Sequence, residues 1–179
     1  MLFRSIHQLE IAVDPVHNNG VRRPRPKVRP RVGTGPAVHF AQNMRLRTGI
    51  PQGILACAHG GSSLEQWDPA KISLQGKSLF GATVRRLERN GRRVAGVIWY
   101  QGEAEANPKV SAAFPEKFEK LIAAFRQDFL QPELPFYYVQ IGRHVYYKDQ
   151  AEWNAVQEAQ RKLESRVPKV GMVPAVDLG

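Results

Sequence analysis

The residues of this sequence whose types and spacing could do chemistry fall in two short polar clusters. Gln101, Gly102, Glu103 and Glu105 follow the apolar run Val94-Ala95-Gly96-Val97-Ile98-Trp99, while His59, Gly60, Gly61, Ser62 and Ser63 follow Gly53-Ile54-Leu55-Ala56-Cys57-Ala58. A carboxamide offers N–H donors and a carbonyl acceptor, and a carboxylate accepts hydrogen bonds or a proton. A glycine pair lets the backbone turn sharply and present N–H groups to a ligand. Packing alone gives no reason for Gln101 and Glu103. Each cluster also has a plainer reading, since polar residues after a buried strand are ordinary loop starters and paired glycines make tight turns.

Both runs are rich in small, β-branched or aromatic residues, the pattern of strands buried on both faces of a parallel sheet. In open α/β sheets ligands bind beyond the carboxyl ends of the strands, so the two clusters are expected to open on one rim. The rest of the chain supplies the alternation such a sheet needs. Leu9, Ile11 and Val13 suggest a short edge strand broken by Asp14-Pro15. A helix begins at Pro36, with Val38, Ala41, Met44 and Leu46 near one face, and Gly49 and Pro51 close it. The strand Gly53–Ala58 comes next, and then a helix over Leu74–Asn90 carrying Phe80, Val84 and Leu87 before Gly91. After the strand at Val94 the spacing of Phe114, Phe118, Leu121, Ile122, Phe125 and Phe129 predicts a helix with one wide apolar stripe, ended by Gln131-Pro132. A strand over Phe136–Ile141, a helix over Ala151–Arg166 with Trp153, Val156, Ala159 and Leu163, and a strand from Val170 complete the order. Alternating helices and strands with short connections predict an α/β fold, a parallel sheet with helices on both faces.

Composition narrows the function classes. A chain of 179 residues with 42% hydrophobic content fits one globular domain. No apolar run reaches the roughly eighteen residues of a membrane span, and the N-terminus lacks the apolar core of a secretory signal. The expectation is a soluble, cytoplasmic protein without membrane partners. Cys57 is the single cysteine, which excludes an internal disulfide framework and a thiolate zinc cluster, and it reads as a buried inert thiol. His17, His59 and His144 show no metal-ligand spacing, so no metal is expected. Much of the net charge of +10 comes from Arg22, Arg23, Arg25, Lys27, Arg29 and Arg31, a stretch without acidic residues. Pro24, Pro26 and Pro30 force that stretch into an extended course. It lacks interleaved aromatics and a recognition helix, so no nucleic-acid partner is expected. Residues 1–31 are therefore read as an irregular N-terminal segment with a basic Pro/Arg-rich loop, and 32–179 as the domain.

Ile54 to Trp67, I-L-A-C-A-H-G-G-S-S-L-E-Q-W, and Gly96 to Glu105, G-V-I-W-Y-Q-G-E-A-E, resemble two sequence blocks of the SGNH-type carbohydrate esterases, the group with sialate O-acetylesterase domains and acetylxylan esterases. Ala12 to His17 and Gly33 through Phe40 resemble segments that precede those blocks. The resemblance implies a flavodoxin-like three-layer sandwich and hydrolysis of O-acetyl esters on sugars by a serine, without a cofactor. By it, Gly61 supplies a backbone N–H to an oxyanion hole, Gly60 shapes the turn, Gln101 supplies a side-chain amide donor and Glu103 supports the loop. Ser63 and Trp67 fall at substrate-binding positions, and Glu105 stands where the family more often has aspartate.

The family's nucleophile sits in a Gly-Gln-Ser-Asn block after the first strand, and its other triad members in an Asp-x-x-His block after the strand that here ends at Gly179. This sequence has neither block at those places, and Asp177 has no histidine three residues later. The expectation is a domain incomplete at both ends, retaining oxyanion elements without nucleophile or base. Ser62 and Ser63 do not replace the nucleophile, because the segment lacks the second glycine of a nucleophile elbow. Little or no turnover is therefore expected from this chain. The alternative is a non-catalytic carbohydrate-binding protein in which Trp67 and Trp99 stack on sugar rings.

Overall fold

A computed structural model describes residues 35–144 and 150–175, together with three two-residue strands nearer the N-terminus. These are β1 (Leu2–Phe3), β2 (His17–Asn18) and β3 (Val32–Gly33), the last two paired antiparallel. The expected strand at Leu9–Val13, the basic stretch Arg22–Arg31 and Asp177 lie outside the described residues.

Helix α1 (Pro36–Thr48) starts as its proline predicts and stops at Gly49, whose φ of 69° is the left-handed turn that glycine adopts without steric cost. It buries Ala37, Val38 and Ala41. Leu46, expected on that face, is exposed, because five residues beyond Ala41 the helix has rotated by about 140°. The strand expected over Gly53–Ala58 is shorter than its composition implies. Among the described residues only β4 (Gly53–Ile54) of that run enters a ladder, antiparallel to β1. Buried composition selects an extended conformation, but a strand also needs a neighbour, and Leu55 to Ala58 join no ladder among the described residues.

The helix expected over Leu74–Asn90 divides in two. A run of 3₁₀ turns spans Pro69–Lys77, and α2 (Leu79–Arg89) begins afresh at Ser78, whose extended backbone and hydroxyl, accepting from Gly81 N at 3.1 Å, make an N-cap. β5 (Val97–Tyr100), β6 (Phe136–Val139) and β7 (Val170–Val173) then form a parallel sheet in that order, with Val97 opposite Phe136 and Phe136 opposite Val170. β5 starts later than the apolar run because the Gln131 side chain pairs with both the N–H and the C=O of Val94, at 3.1 and 2.9 Å. β6 stops before Ile141, whose N–H turns instead to the Gln160 side chain at 3.0 Å.

Helix α3 (Phe114–Asp128) carries the predicted stripe, and α4 (Ala151–Leu163) ends slightly short of the expected Arg166. Phe118 and Phe125 pack on Trp99 and Phe136 with ring centroids 5.9 to 6.4 Å apart. Phe80 of α2 meets Phe125 at 5.0 Å, and Tyr138 of β6 donates to the Gln160 carbonyl of α4 at 2.6 Å. Three helices thus bury the alternating Val97, Trp99, Phe136 and Tyr138 face of the sheet. The residues between them, Tyr100, Tyr137 and Val173, are about half exposed on the other face. Among the described residues no helix is long and apolar enough to cross a membrane.

Candidate functional site

The two polar clusters do meet. The segment after Leu55 runs out to His59, Gly60 and Gly61, all exposed, and turns back at Gly61 with a φ of 70° and open space where a Cβ would be. Ser62 is drawn inward: its hydroxyl donates to the His59 carbonyl at 2.8 Å and accepts from Trp67 Nε1 at 3.0 Å. Ser63 is half-buried, and its backbone N–H donates to Gln66 Oε1 at 2.9 Å. The turn is thereby fixed by its own side chains, which leaves Gly60 and Gly61 on the rim.

From the other side the carboxyl end of β5 delivers Gln101, buried at the base of that turn. Its Nε2 donates to the Ser62 carbonyl at 3.2 Å and, more closely, to Glu105 Oε2. Glu105 Oε1 accepts the Leu64 N–H at 2.7 Å. One buried carboxylate therefore ties the β5 terminus to the loop of the other cluster. Gln160 holds the same terminus from α4, donating to the Gln101 carbonyl at 3.0 Å. Both N–H bonds of the Gln101 amide are engaged within the protein, while Oε1 is buried without a partner.

The tether was not the residue the sequence singled out. Glu103, expected to support the loop, is exposed, whereas Glu105 is only 3% exposed. The 3₁₀ turn Glu103–Glu105 rotates one carboxylate outward and the next inward. The available signal was spacing: Glu105 stands four residues beyond Gln101 on a chain turning back over itself. Gln160 gave less signal, because a glutamine on a helix reads as solvent-facing. Trp67 and Trp99, considered for sugar stacking, are 4% and 7% exposed and pack edge to face at 5.0 Å. Their rings form core walls.

A cavity of about 410 Å³ opens beneath the rim, lined by Ile54 to Ser62 on one side and Val97 to Gln101 on the other. Among the described residues no group of three or more His, Cys, Asp or Glu side chains is placed to hold a metal ion.

Burial pushes the Glu105 carboxyl above its ordinary value of 4.5, although the hydrogen bonds from Leu64 N and Gln101 favour its charged form. Between 4.5 and that raised value the folded chain keeps a proton that the unfolded chain has lost, so this group's contribution to stability falls as pH rises through the window. The stability of the native chain relative to a Glu105→Gln variant should therefore decline as pH rises from about 4.5, by at most about 1.4 kcal/mol per pH unit. Urea unfolding of both proteins across that range checks it. The exposed Glu158 carboxyl, held down to about 2 by Arg161, titrates below the window.

The sequence model of the family described as carbohydrate esterase, sialic acid-specific acetylesterase, matches residues 1–179. Among solved structures the fold resembles that of a carbohydrate acetylesterase from Xanthomonas citri, with a TM-score of 0.72 and 29% identity over 83% of this chain and 35% of that one. It also resembles a protein from Arabidopsis thaliana, with a TM-score of 0.66 and 28% identity over 84% of this chain and 58% of that one. The chain thus spans between about a third and three fifths of the length of these two structures. No curated protein matches it.

Proposed function

The chain belongs to the carbohydrate esterase family of sialic acid-specific acetylesterases, and from that premise we propose that its rim receives the acetyl ester of an O-acetylated carbohydrate. The observation that carries this reading is the meeting of the Gly60–Gly61 turn with the buried Gln101 amide at the mouth of one cavity. An ester carbonyl attacked at carbon gathers negative charge on oxygen, and N–H donors fixed in advance around that oxygen stabilise it without reorganising. Gly61 offers a backbone N–H, and Gln101 a side-chain one. The Gln101 bond to the Ser62 carbonyl, at 3.2 Å, is the longer of its two and is the one to be exchanged for the oxyanion. Catalytic hydrogen bonds often tighten only when the ligand arrives.

The same reading gives the isolated chain little turnover. The Ser62 hydroxyl is committed to His59 and Trp67, which leaves it poorly placed to act as nucleophile. Without a serine activated by a base, the oxyanion donors and binding supply only a modest residual acceleration. Non-catalytic recognition of acetylated carbohydrate is the second reading, and the commitment of Ser62 favours it.

Titration of the isotopically labelled chain with O-acetylated xylo-oligosaccharide tests the rim. Saturable shifts at Gly60, Gly61 and the Gln101 side chain are expected, absent with the deacetylated oligosaccharide. A Gln101→Ala variant should bind about tenfold more weakly, the loss of one hydrogen bond of roughly 1.4 kcal/mol. Equal binding of the acetylated and deacetylated sugars would refute the assignment.

A further inference from the structure

We propose that the outer face of α2 is a docking surface for an acidic polysaccharide, a carbohydrate chain that carries carboxylates along its length. Arg85 and Arg89 stand four apart on that helix and Arg86 and Arg89 three apart, the spacings at which helical side chains are neighbours. Phe80, Val84 and Leu87 occupy the buried side. Arg92 and Arg93 follow the helix directly, and with Arg86 and Arg89 they are exposed. Against these five guanidinium groups the stretch holds one carboxylate, Glu88, which Arg92 already engages at 2.6 Å. Cations in a last helical turn offset the helix dipole, and Arg86 and Arg89 stand there. The dipole acts only within that turn, so it gives no reason for Arg93.

The chemistry of the face selects the partner. Surfaces that serve solubility alone ordinarily intersperse both signs of charge, whereas this one is nearly all positive and all of its cations from Arg85 to Arg93 are arginines. A guanidinium presents its donors as a planar fork that matches a carboxylate, which a lysine ammonium does not. Among the described residues Arg85 Nη1 is closed to water and without a partner. Buried donors are ordinarily satisfied, and an oxyanion beside Arg85 would offset that cost. A nucleic acid fits less well, because single strands are held by aromatic stacking. Phe80, the one aromatic residue of α2, is fully buried, and the Asn90 amide is committed to the Arg86 carbonyl at 2.8 Å. Arg86 also donates to the Ala56 carbonyl, so the arginine face abuts the segment that runs out to Gly60 and Gly61. The choice of a carbohydrate rests on the reading of that rim as a site for acetylated sugar; the anionic character of the partner does not.

The probe is an acetyl-free oligogalacturonate with a fluorescent label, titrated with the full 179-residue chain and followed by anisotropy. Saturable binding at low salt that weakens steeply as salt is added is expected. Arg89→Ser combined with Arg93→Ser should weaken it about fivefold, since exposed ion pairs contribute modestly and two are lost. The comparison is Arg45→Ser combined with Arg47→Ser, which removes the same charge from the exposed end of α1 and should change binding by less than about twofold. Circular dichroism verifies that both variants fold. Absence of binding overturns the proposal, and so do equal losses in the two double variants, because net charge alone would then attract the probe. Tighter binding of a thymidine oligonucleotide of equal charge, lost in the same α2 variant, would assign the face to nucleic acid and overturn it as well. The probe carries no ester. A failed acetyl titration with oligogalacturonate binding intact sinks the rim assignment alone, and the converse sinks the arginine face alone.

Discussion

Replacing Glu105 with alanine is expected to lower the stability of the folded chain by about 3 kcal/mol. The change removes the acceptor of the Leu64 N–H and of Gln101 Nε2, both in surroundings closed to water. A buried donor left unpaired costs about 1 to 3 kcal/mol, and relief of the carboxylate's desolvation offsets only part of the sum. Guanidinium unfolding measures the loss, and hydrogen exchange at Leu64 locates it. Glu105→Gln should lose about half as much, since a carboxamide oxygen still accepts from Leu64 N while its NH₂ meets that of Gln101. Equal losses in the two variants would mean that the side chain matters by its volume and not as a tether.

The second large effect is expected at Gly102. Its φ of 155° is one that residues with a side chain rarely adopt, and an added Cβ would lie 2.9 Å from Ile141 Cγ2, 3.1 Å from Gln160 Nε2 and 3.2 Å from Val156 Cγ1. Backbone strain and overpacking each cost about 1 to 3 kcal/mol, so Gly102→Ala should destabilise by about 3 kcal/mol or more. Displacing Gln160 also removes its bond to the Gln101 carbonyl, which carries the disturbance from the core to the rim. Gly61→Ala is the comparison: its φ is 70° but the space is open, and about 1 kcal/mol is expected. Unfolding midpoints of the two variants should differ accordingly, and similar midpoints would contradict the crowding described at Gly102.

What the sequence could tell follows the reach of each signal. The stripe from Phe114 to Phe125 and the run at Val97 depend on periodicity and apolar content, which burial enforces directly, and both occur where expected. Gly53 to Ala58 has the composition of a buried strand, yet pairing depends on a neighbour that composition does not specify, and among the described residues only Gly53 and Ile54 of that run are in a ladder. Ser78 was a readable helix cap inside a segment that apolar spacing alone made continuous. At the site, the rim positions of Gly60, Gly61 and Gln101 were legible as residues following strands. The direction of Glu103 and Glu105 was not, because a single 3₁₀ turn decides which carboxylate is buried. The aromatic character of Trp67 and Trp99 was equally suited to a sugar or to the core; their mutual edge-on packing buries both rings in the core, where they also line the cavity.

Acetate release by the folded 179-residue chain tests the central claim most directly, that these residues hold oxyanion donors without a working nucleophile. 4-Nitrophenyl acetate and acetylated xylan are the substrates, with folding verified by circular dichroism. Folded protein with release no more than slightly above background is expected. Release well above background that disappears in a Ser63→Ala variant would contradict it, and would place the nucleophile within the Gly60–Ser63 turn.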